Sequence, residues 1–568
     1  MSDYDLIIRG GTIIDGSGAS AYRADIAVRE GLIAEIGQIS GSAASVIDAT
    51  GAIVTPGFVD IHTHYDGLAT WTDRMNPSSH HGVTTVVMGN CGVGFAPVRP
   101  ADHELLVELM EGVEDIPGTA LHEGLPWAWE TFPEYLDFLD QRQYDMDIAA
   151  QLPHAALRVY VMGQRGADRE EATEADIAEM RRLTAEAMKA GALGFTSSRT
   201  LNHKSIKGDP TPSLTAAEAE LVGIAQGVAD AGTGVLEMIS DFKGLDQEFQ
   251  ILMHMVDAAK APMTISLAQG LNANGWKKIL NKIDEANANG REVKGQVAPR
   301  AIGVLFGLTA SNTPFSGCQT YRDISKLPLA DKVRALSEPE FRQRLLAEYH
   351  DRPNTVNLNN FWALTEDWDY EPERSQSIGA MAAQQAKDPA ELALDIMLQN
   401  NGEQLLYMPF ANYTDGNLDC CRDMILAENT VMGLGDGGAH VGAICDASFI
   451  TYLLTHWGRD RKRGDKIPLE TLIKAQTSDT ASAVRLHDRG LLKPGLRADI
   501  NVIDFDNLRL ALPSMVHDLP SGAGRLEQKT TGYLATIVNG TVTYRNGEAT
   551  GELPGRLIRG AREATMQA

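Results

Sequence analysis

Gly57-Phe58-Val59-Asp60-Ile61-His62-Thr63-His64-Tyr65-Asp66 is the stretch on which the fold turns: an apolar run behind a Pro56-Gly57 turn, ending in two histidines one residue apart. Along a strand, residues i and i+2 point to the same face, so His62 and His64 are placed to grip one metal ion. A bound divalent ion lowers the pKa of its water and yields a hydroxide nucleophile near neutral pH. A bare His-x-His also occurs as two solvated or core histidines. The turn and the apolar strand in front of this pair favour the metal reading.

On the N-terminal side, residues 4 to 55 read as short strands joined by turns: Leu6-Ile7-Ile8-Arg9, Thr12-Ile13-Ile14, Ile26-Ala27-Val28, Leu32 to Ile36 and Ala52-Ile53-Val54. The same pattern returns near the C-terminus at Asp499 to Asp504, Thr536 to Gly540 and Thr541 to Tyr544. Residues 1–55 and 481–568 are therefore expected to build one small β-sandwich, since chain ends often lie close together. Between 56 and 480, apolar strands alternate with amphipathic helices, the pattern of βα units around a parallel sheet. Strands are expected at Thr84–Val87, Ala156–Val161, Gly194–Ser197, Val235–Ile239, Met263–Leu267, Gln296–Val297 and Val431–Leu434, and helices at Glu174–Ala190 and Ala216–Ala231. With the His62 strand, the number approaches the eight of a TIM barrel. Insertions near 98–145 and 309–375 break the rhythm. Their aromatics, Trp127, Trp129, Phe132, Tyr135, Phe361, Trp362, Trp368 and Tyr370, either wall a substrate pocket or pack the insertions onto the barrel.

Composition narrows the function. The 568 residues carry 50 Lys plus Arg against 76 Asp plus Glu, a net charge of -26 that repels nucleic acid and anionic membrane surfaces. No uncharged apolar window is long enough to span a bilayer, and Met1 to Arg9 leads directly into a strand, so a cytoplasmic enzyme is expected. The five cysteines form no spaced framework, which suits a reducing compartment. A homo-oligomer is compatible with a chain of this size.

Two glycine-rich strand ends carry further chemistry. Cys91, in Met88-Gly89-Asn90-Cys91-Gly92, follows the Thr84 strand and is either an inert buried thiol or a thiolate ligand. Asp436, in Gly433-Leu434-Gly435-Asp436-Gly437-Gly438, also ends an apolar strand, where a carboxylate can touch a metal and take a proton from its water.

Together, Val54 to His64, Gly82 to Gly92, Gly191-Ala192-Leu193-Gly194-Phe195, Gly435-Asp436-Gly437 and Gly490 to Asp499 make the chain resemble the amidohydrolase superfamily, and within it the D-aminoacylase (N-acyl-D-amino-acid deacylase) branch. The resemblance implies a distorted (β/α)8 barrel with a β-sandwich, one or two divalent ions, most simply zinc, and hydrolysis of a small-molecule amide. His62, His64 and Asp436 carry over by motif and Cys91 as a third ligand. The branch places a histidine on each of two later strands, where this chain has Glu237 and Leu267; of these only Glu237 can ligate. Its lysine just beyond is Gln269 here, and Gly194 to Arg199 offers no lysine for carboxylation. The expectation is a metal-dependent amidohydrolase acting on an N-acyl amino acid or related linear amide, with Asp436 as general base. The alternatives are hydrolysis of a cyclic amide or lactone and a metal-poor binding protein. His154, Arg300 and His440 are candidate substrate contacts.

Overall fold

The structure is a computed structural model that describes residues 2–353 and 355–563. The two terminal segments pair into one nine-stranded sheet. The N-terminal segment supplies Tyr4–Ile13, Tyr22–Arg29, Leu32–Gly37, Ala43–Asp48 and Ile53–Pro56, and the C-terminal segment Ile500–Ile503, Tyr533–Val538, Thr541–Arg545 and Glu548–Ala549. The seam is antiparallel, with Val54 opposite Val502. Alternation does the sorting: Leu6 and Ile8 join a core with Val28, Val502 and Ile537, while Ile7 packs on the other face with Ala27 and Ile39.

Nine short strands of the central region are parallel: β1 (Phe58–Asp60), β2 (Val83–Met88), β3 (Asp147–Ala150), β4 (Leu152–Pro153), β5 (Gly194–Arg199), β6 (Val235–Ser240), β7 (Met263–Ser266), β8 (Val293–Val297) and β9 (Thr430–Met432). They form a three-stranded sheet, β1-β2-β3, and a six-stranded sheet, β9-β8-β7-β6-β5-β4. Backbone contacts tie the sheets on both sides. The Gln151 N–H, between β3 and β4, donates to the Met88 carbonyl at 2.9 Å. Across the other gap, the Asp436 N–H donates to the His62 carbonyl (3.0 Å) and the His64 N–H to the Gly437 carbonyl (2.7 Å). Buried Arg489 ties the C-terminal segment to this region by donating to Thr85 and Asp147, each at 2.8 Å.

The helix Glu174–Ala190 has the predicted bounds, fixed by a Thr173/Asp176 capping box and by Gly191 in the left-handed region. The second predicted helix starts at Glu218 and ends at Ala231. Ala156–Val161, read as a strand, lies instead within the helix His154–Met162. That helix is buried on nearly all sides, so its sequence shows no polar face, and a short apolar run with Val159 and Val161 reads equally as strand. The missing parallel strand is β3. The helix Ser478–Ala483 spans position 480, where a boundary was expected.

The later insertion begins earlier and ends later than 309–375. Ile302–Phe306 pairs antiparallel with Leu406–Ala411, and the segment between them encloses its own core around Phe315, Leu345, Phe361, Ile378 and Leu394. The earlier insertion packs through aromatic contacts, with Trp127 stacked on His103 and Trp129 donating to the Phe95 carbonyl. No described helix is long and apolar enough to cross a membrane.

Candidate metal centre

His62 and His64 lie just past the end of β1, fully buried, with their rings 5.6 Å apart. Nδ1 of His62 is 2.6 Å from the Gln296 side-chain oxygen, while the Gln296 amide nitrogen donates to Thr264 at 2.8 Å. With that amide nitrogen committed, the Gln296 oxygen accepts, so the proton of His62 sits on Nδ1 and the lone pair on Nε2. That Nε2 is 3.4 Å from Cys91 Sγ and 3.4 Å from Asp436 Oδ1. His64 turns its own Nε2 to within 3.8 Å of Asp436 Oδ1. Ligand atoms of His62, His64 and Cys91 all fall within 4.8 Å of one another.

Local backbone explains how Cys91 gets there. It adopts φ 55° between Gly89 and Gly92, both also at positive φ. A Cβ on Gly92 would stand 2.8 Å from the Ser197 Cα, so only glycine lets this turn lie against β5. Asp436 is likewise left-handed, at φ 45°, in a loop where Leu434 and His440 share that conformation. Three such non-glycine residues in one short loop store strain of a kind that concentrates at functional sites.

Buried acids complete the cluster. Glu237 on β6 accepts the Cys91 N–H at 3.0 Å through one oxygen and leaves its other buried oxygen without a partner. Glu114 brings Oε1 to 3.1 Å from His64 Nδ1, out of line for a hydrogen bond, and Oε2 to 3.8 Å from His440 Nε2. Burial pushes Glu237 up to about 7, against the pull of His62 and the Cys91 N–H. It drives Glu114 and the Cys91 thiol well above their usual ranges and His64 well below its own. Each group is held toward its uncharged form by the lack of a compensating charge. Nitrogen, sulfur and carboxylate donors converging with orphaned oxygens fit a borderline divalent cation.

The sequence profile of the amidohydrolase family matches residues 45–544. The chain belongs to the amidohydrolase family. Within it, the chain falls in the D-aminoacylase branch. An N-acyl-D-glutamate deacylase of Alcaligenes xylosoxydans xylosoxydans is 32% identical over 563 residues, covering 98% of this chain and 96% of the relative. Crystal structures of D-aminoacylase and of a Bordetella bronchiseptica N-acyl-D-glutamate deacylase, the latter with zinc and a phosphonate inhibitor, each superpose with a TM-score of 0.65. Identities are 24% and 23%, over 98% of this chain and 100% and 99% of theirs. At such identities the superpositions speak for the fold, which is the mixed α/β amidohydrolase fold.

In this amidohydrolase a cavity of about 790 Å³ opens onto His62, His64, Cys91, Glu114, Asp436 and His440. Glu237 stands immediately behind Cys91, and His440 lines the cavity. His154 and Arg300, expected as substrate contacts, are not among its lining residues. His154 is buried between Ser197 (2.7 Å) and Glu220 (2.9 Å), with Arg158 on the same carboxylate. Arg300 is buried against the Tyr370 ring, 3.6 Å from its centroid, and pairs with Asp446 at 3.1 Å. Both ring nitrogens of His154 and the Nη2 of Arg300 are committed to these internal contacts, while Arg300 Nε and Nη1 are buried without a hydrogen-bond partner. Leu267 belongs to the core against Gly295, while its neighbours Ser266 and Ala268 face the cavity. None of the insertion aromatics lines it: Trp129, Phe132, Tyr135, Phe361 and Trp362 pack in the core, Trp127 is half-buried, and Trp368 and Tyr370 line a separate cleft with Tyr452 and His456.

Sequence reasoning missed Glu114, Gln296 and His203. Glu114 had a signal: in the helix His103–Glu114 it continues the buried stripe Val107-Met110 and places an acid at the end where the helix dipole disfavours one. His203, in the loop after β5, also lines the cavity, and no motif announced it.

Proposed function

We propose that this chain is a metal-dependent amidohydrolase that cleaves the C–N bond of an N-acyl amino acid or related linear amide. The observation that carries the reading is the convergence of His62 Nε2, Cys91 Sγ and Asp436 Oδ1 at one end of a large cavity. His62, His64 and Cys91 would hold the ion, with Glu237 as a further donor and zinc as the metal that suits this set. When bound, a divalent ion there supplies Lewis acidity and lowers the pKa of water. Gln296 fixes His62 in the tautomer that presents Nε2. Asp436 takes the proton of the attacking water as general base and returns it to the departing amine nitrogen.

The reading includes the framework. The parallel strands, tied at Gln151 and at Thr63–Gly437, are taken as one distorted (β/α)8 barrel within 56–480, and the terminal sheet as a β-sandwich from 1–55 and 481–568. What supports the latter is a core drawn from both terminal segments. All five cysteines are free, in keeping with a cytoplasmic enzyme.

Chelation followed by zinc add-back, with hydrolysis of N-acyl-D-amino acids and of their carboxamides as readout, tests the metal. Asp436→Asn tests the base: kcat should fall by about 10²- to 10⁴-fold with the fold and metal content kept. Full turnover after either treatment would overturn the mechanism.

A further inference from the structure

Among the described residues, the large apolar side chains most exposed to solvent are Leu271, at 96%, and Phe410, at 58%. Both line the cavity that leads to the metal centre. Phe242, Trp276, Ile279 and Met408 line it with them. Apolar surface left open beside a catalytic centre is there to be covered by a ligand.

The cavity wall carries acids and no permanent positive charge. Its acids are Asp241, Asp436 and Glu114, the last held toward its uncharged form by burial, and its described lining includes no lysine or arginine. Of the cations next to lining residues in sequence, Arg199 is paired with Glu248 at 2.6 Å, Lys204, Lys243 and Lys278 are exposed outside the lining, and the Lys277 ammonium lies over the Trp276 ring, 5.4 Å from its centroid. Of the histidines beyond the donor set, His440 faces Glu114 at 3.8 Å, and burial with neighbouring histidines pushes His203 down to about 3. Gln269 uses its side chain on Ala273, Thr414 and Asp415 to pin two loops together. A free carboxylate entering beside the amide would be desolvated with no side-chain cation to answer it, which costs far more than burying a neutral group.

We propose that the cavity takes an amide whose acyl part is an extended apolar chain and whose amine part carries no free carboxylate. The inference rests on the amidohydrolase reading above and narrows its substrate class.

The test uses the full-length zinc-loaded enzyme and matched compounds: N-acetyl-, N-butanoyl- and N-octanoyl-leucine in both configurations, each as free acid and as carboxamide. For the carboxamides kcat/KM should exceed that of the free acids by at least about tenfold. It should also rise by about two- to fourfold per added methylene, the effect of burying CH₂ groups. Equal or better turnover of the free acids, or indifference to acyl length, overturns the proposal. Calorimetric binding of the same compounds reads the cavity independently of chemistry. If nothing is hydrolysed but octanoyl carboxamides bind more tightly than the acids, the amidohydrolase reading fails and the cavity assignment stands. If the acids bind as well, the cavity assignment falls. Leu271→Lys, at an exposed position that leaves the core untouched, should move the preference toward the free acids; an unchanged preference counts against the proposal.

Discussion

The two sides of the active-site cavity are built in opposite ways. On the histidine side, at the ends of β1 and β2, backbone is pressed against backbone. A Cβ on Gly89 would stand 2.4 Å from the Gln151 carbonyl, and one on Gly435 2.9 Å from the Asp60 carboxylate. On the far side, beyond β6 and β7, the chain is open: Gly270 has nothing within 4 Å of where its Cβ would be, and Leu271 next to it stands in solvent. The proposed donors are thus fixed by close packing of main chain, whereas the wall around Gly270 and Leu271 presents side chains from more open loops. Such a division lets specificity change by substitution on one side without disturbing the metal chemistry on the other.

The comparison can be broken most sharply at the donors. If the histidine side holds the ion largely by itself, His62→Ala or His64→Ala should remove the bound metal, measured by elemental analysis after purification. Activity should drop by at least about 10³-fold. A His62→Ala protein that keeps its full metal content would show that the far side carries more than this account allows.

Glu237 is the one acid of the far side that reaches across, through the Cys91 N–H. Glu237→Gln keeps an acceptor for that N–H but removes the charge. Metal affinity should weaken by about 10- to 100-fold, by competition with a chromophoric chelator. An unchanged affinity would restrict Glu237 to positioning the Cys91 loop. The smallest effect comes from paired glycines. Gly92→Ala should cost about 1–3 kcal/mol through overpacking and left-handed strain, and Gly270→Ala less than about 0.5 kcal/mol. Denaturant midpoints that fell equally for both variants would erase the distinction between the two sides.

Much of the histidine side could be read from sequence because its residues sit next to their own punctuation. His62 and His64 close an apolar strand, Cys91 is flanked by Gly89 and Gly92, and Asp436 by Gly435 and Gly437. In each case one short segment carries both the donor and the backbone freedom that aims it. Relations across the fold were not legible. Gln296 orients His62 from 234 residues away, and nothing near it in sequence says so. His154 and Arg300 had the right residue types beside apolar runs, but their roles depend on partners such as Glu220 and Asp446 that only packing brings together. The Ala156–Val161 misreading has a similar cause: a helix enclosed on nearly all sides has no polar face to mark its period. The short run Met263 to Leu267 does not announce which of its faces meets the site; the pleat turns Ser266 and Ala268 to the cavity and Leu267 into the core.

Glu114 is the last residue of a helix in the inserted segment between β2 and β3, and it reaches the centre at His64. On the proposed function the segment belongs to the catalytic module and is not interchangeable packaging. A chimera that kept every strand of this protein but borrowed the corresponding segment from a relative would inherit His62, Cys91 and Asp436 intact. It would keep a carboxylate beside His64 Nδ1 only if the borrowed segment brought one of its own. Engineers who transplant loops to alter substrate choice have a freer hand with the residues around Leu271 and Phe410 than with this helix.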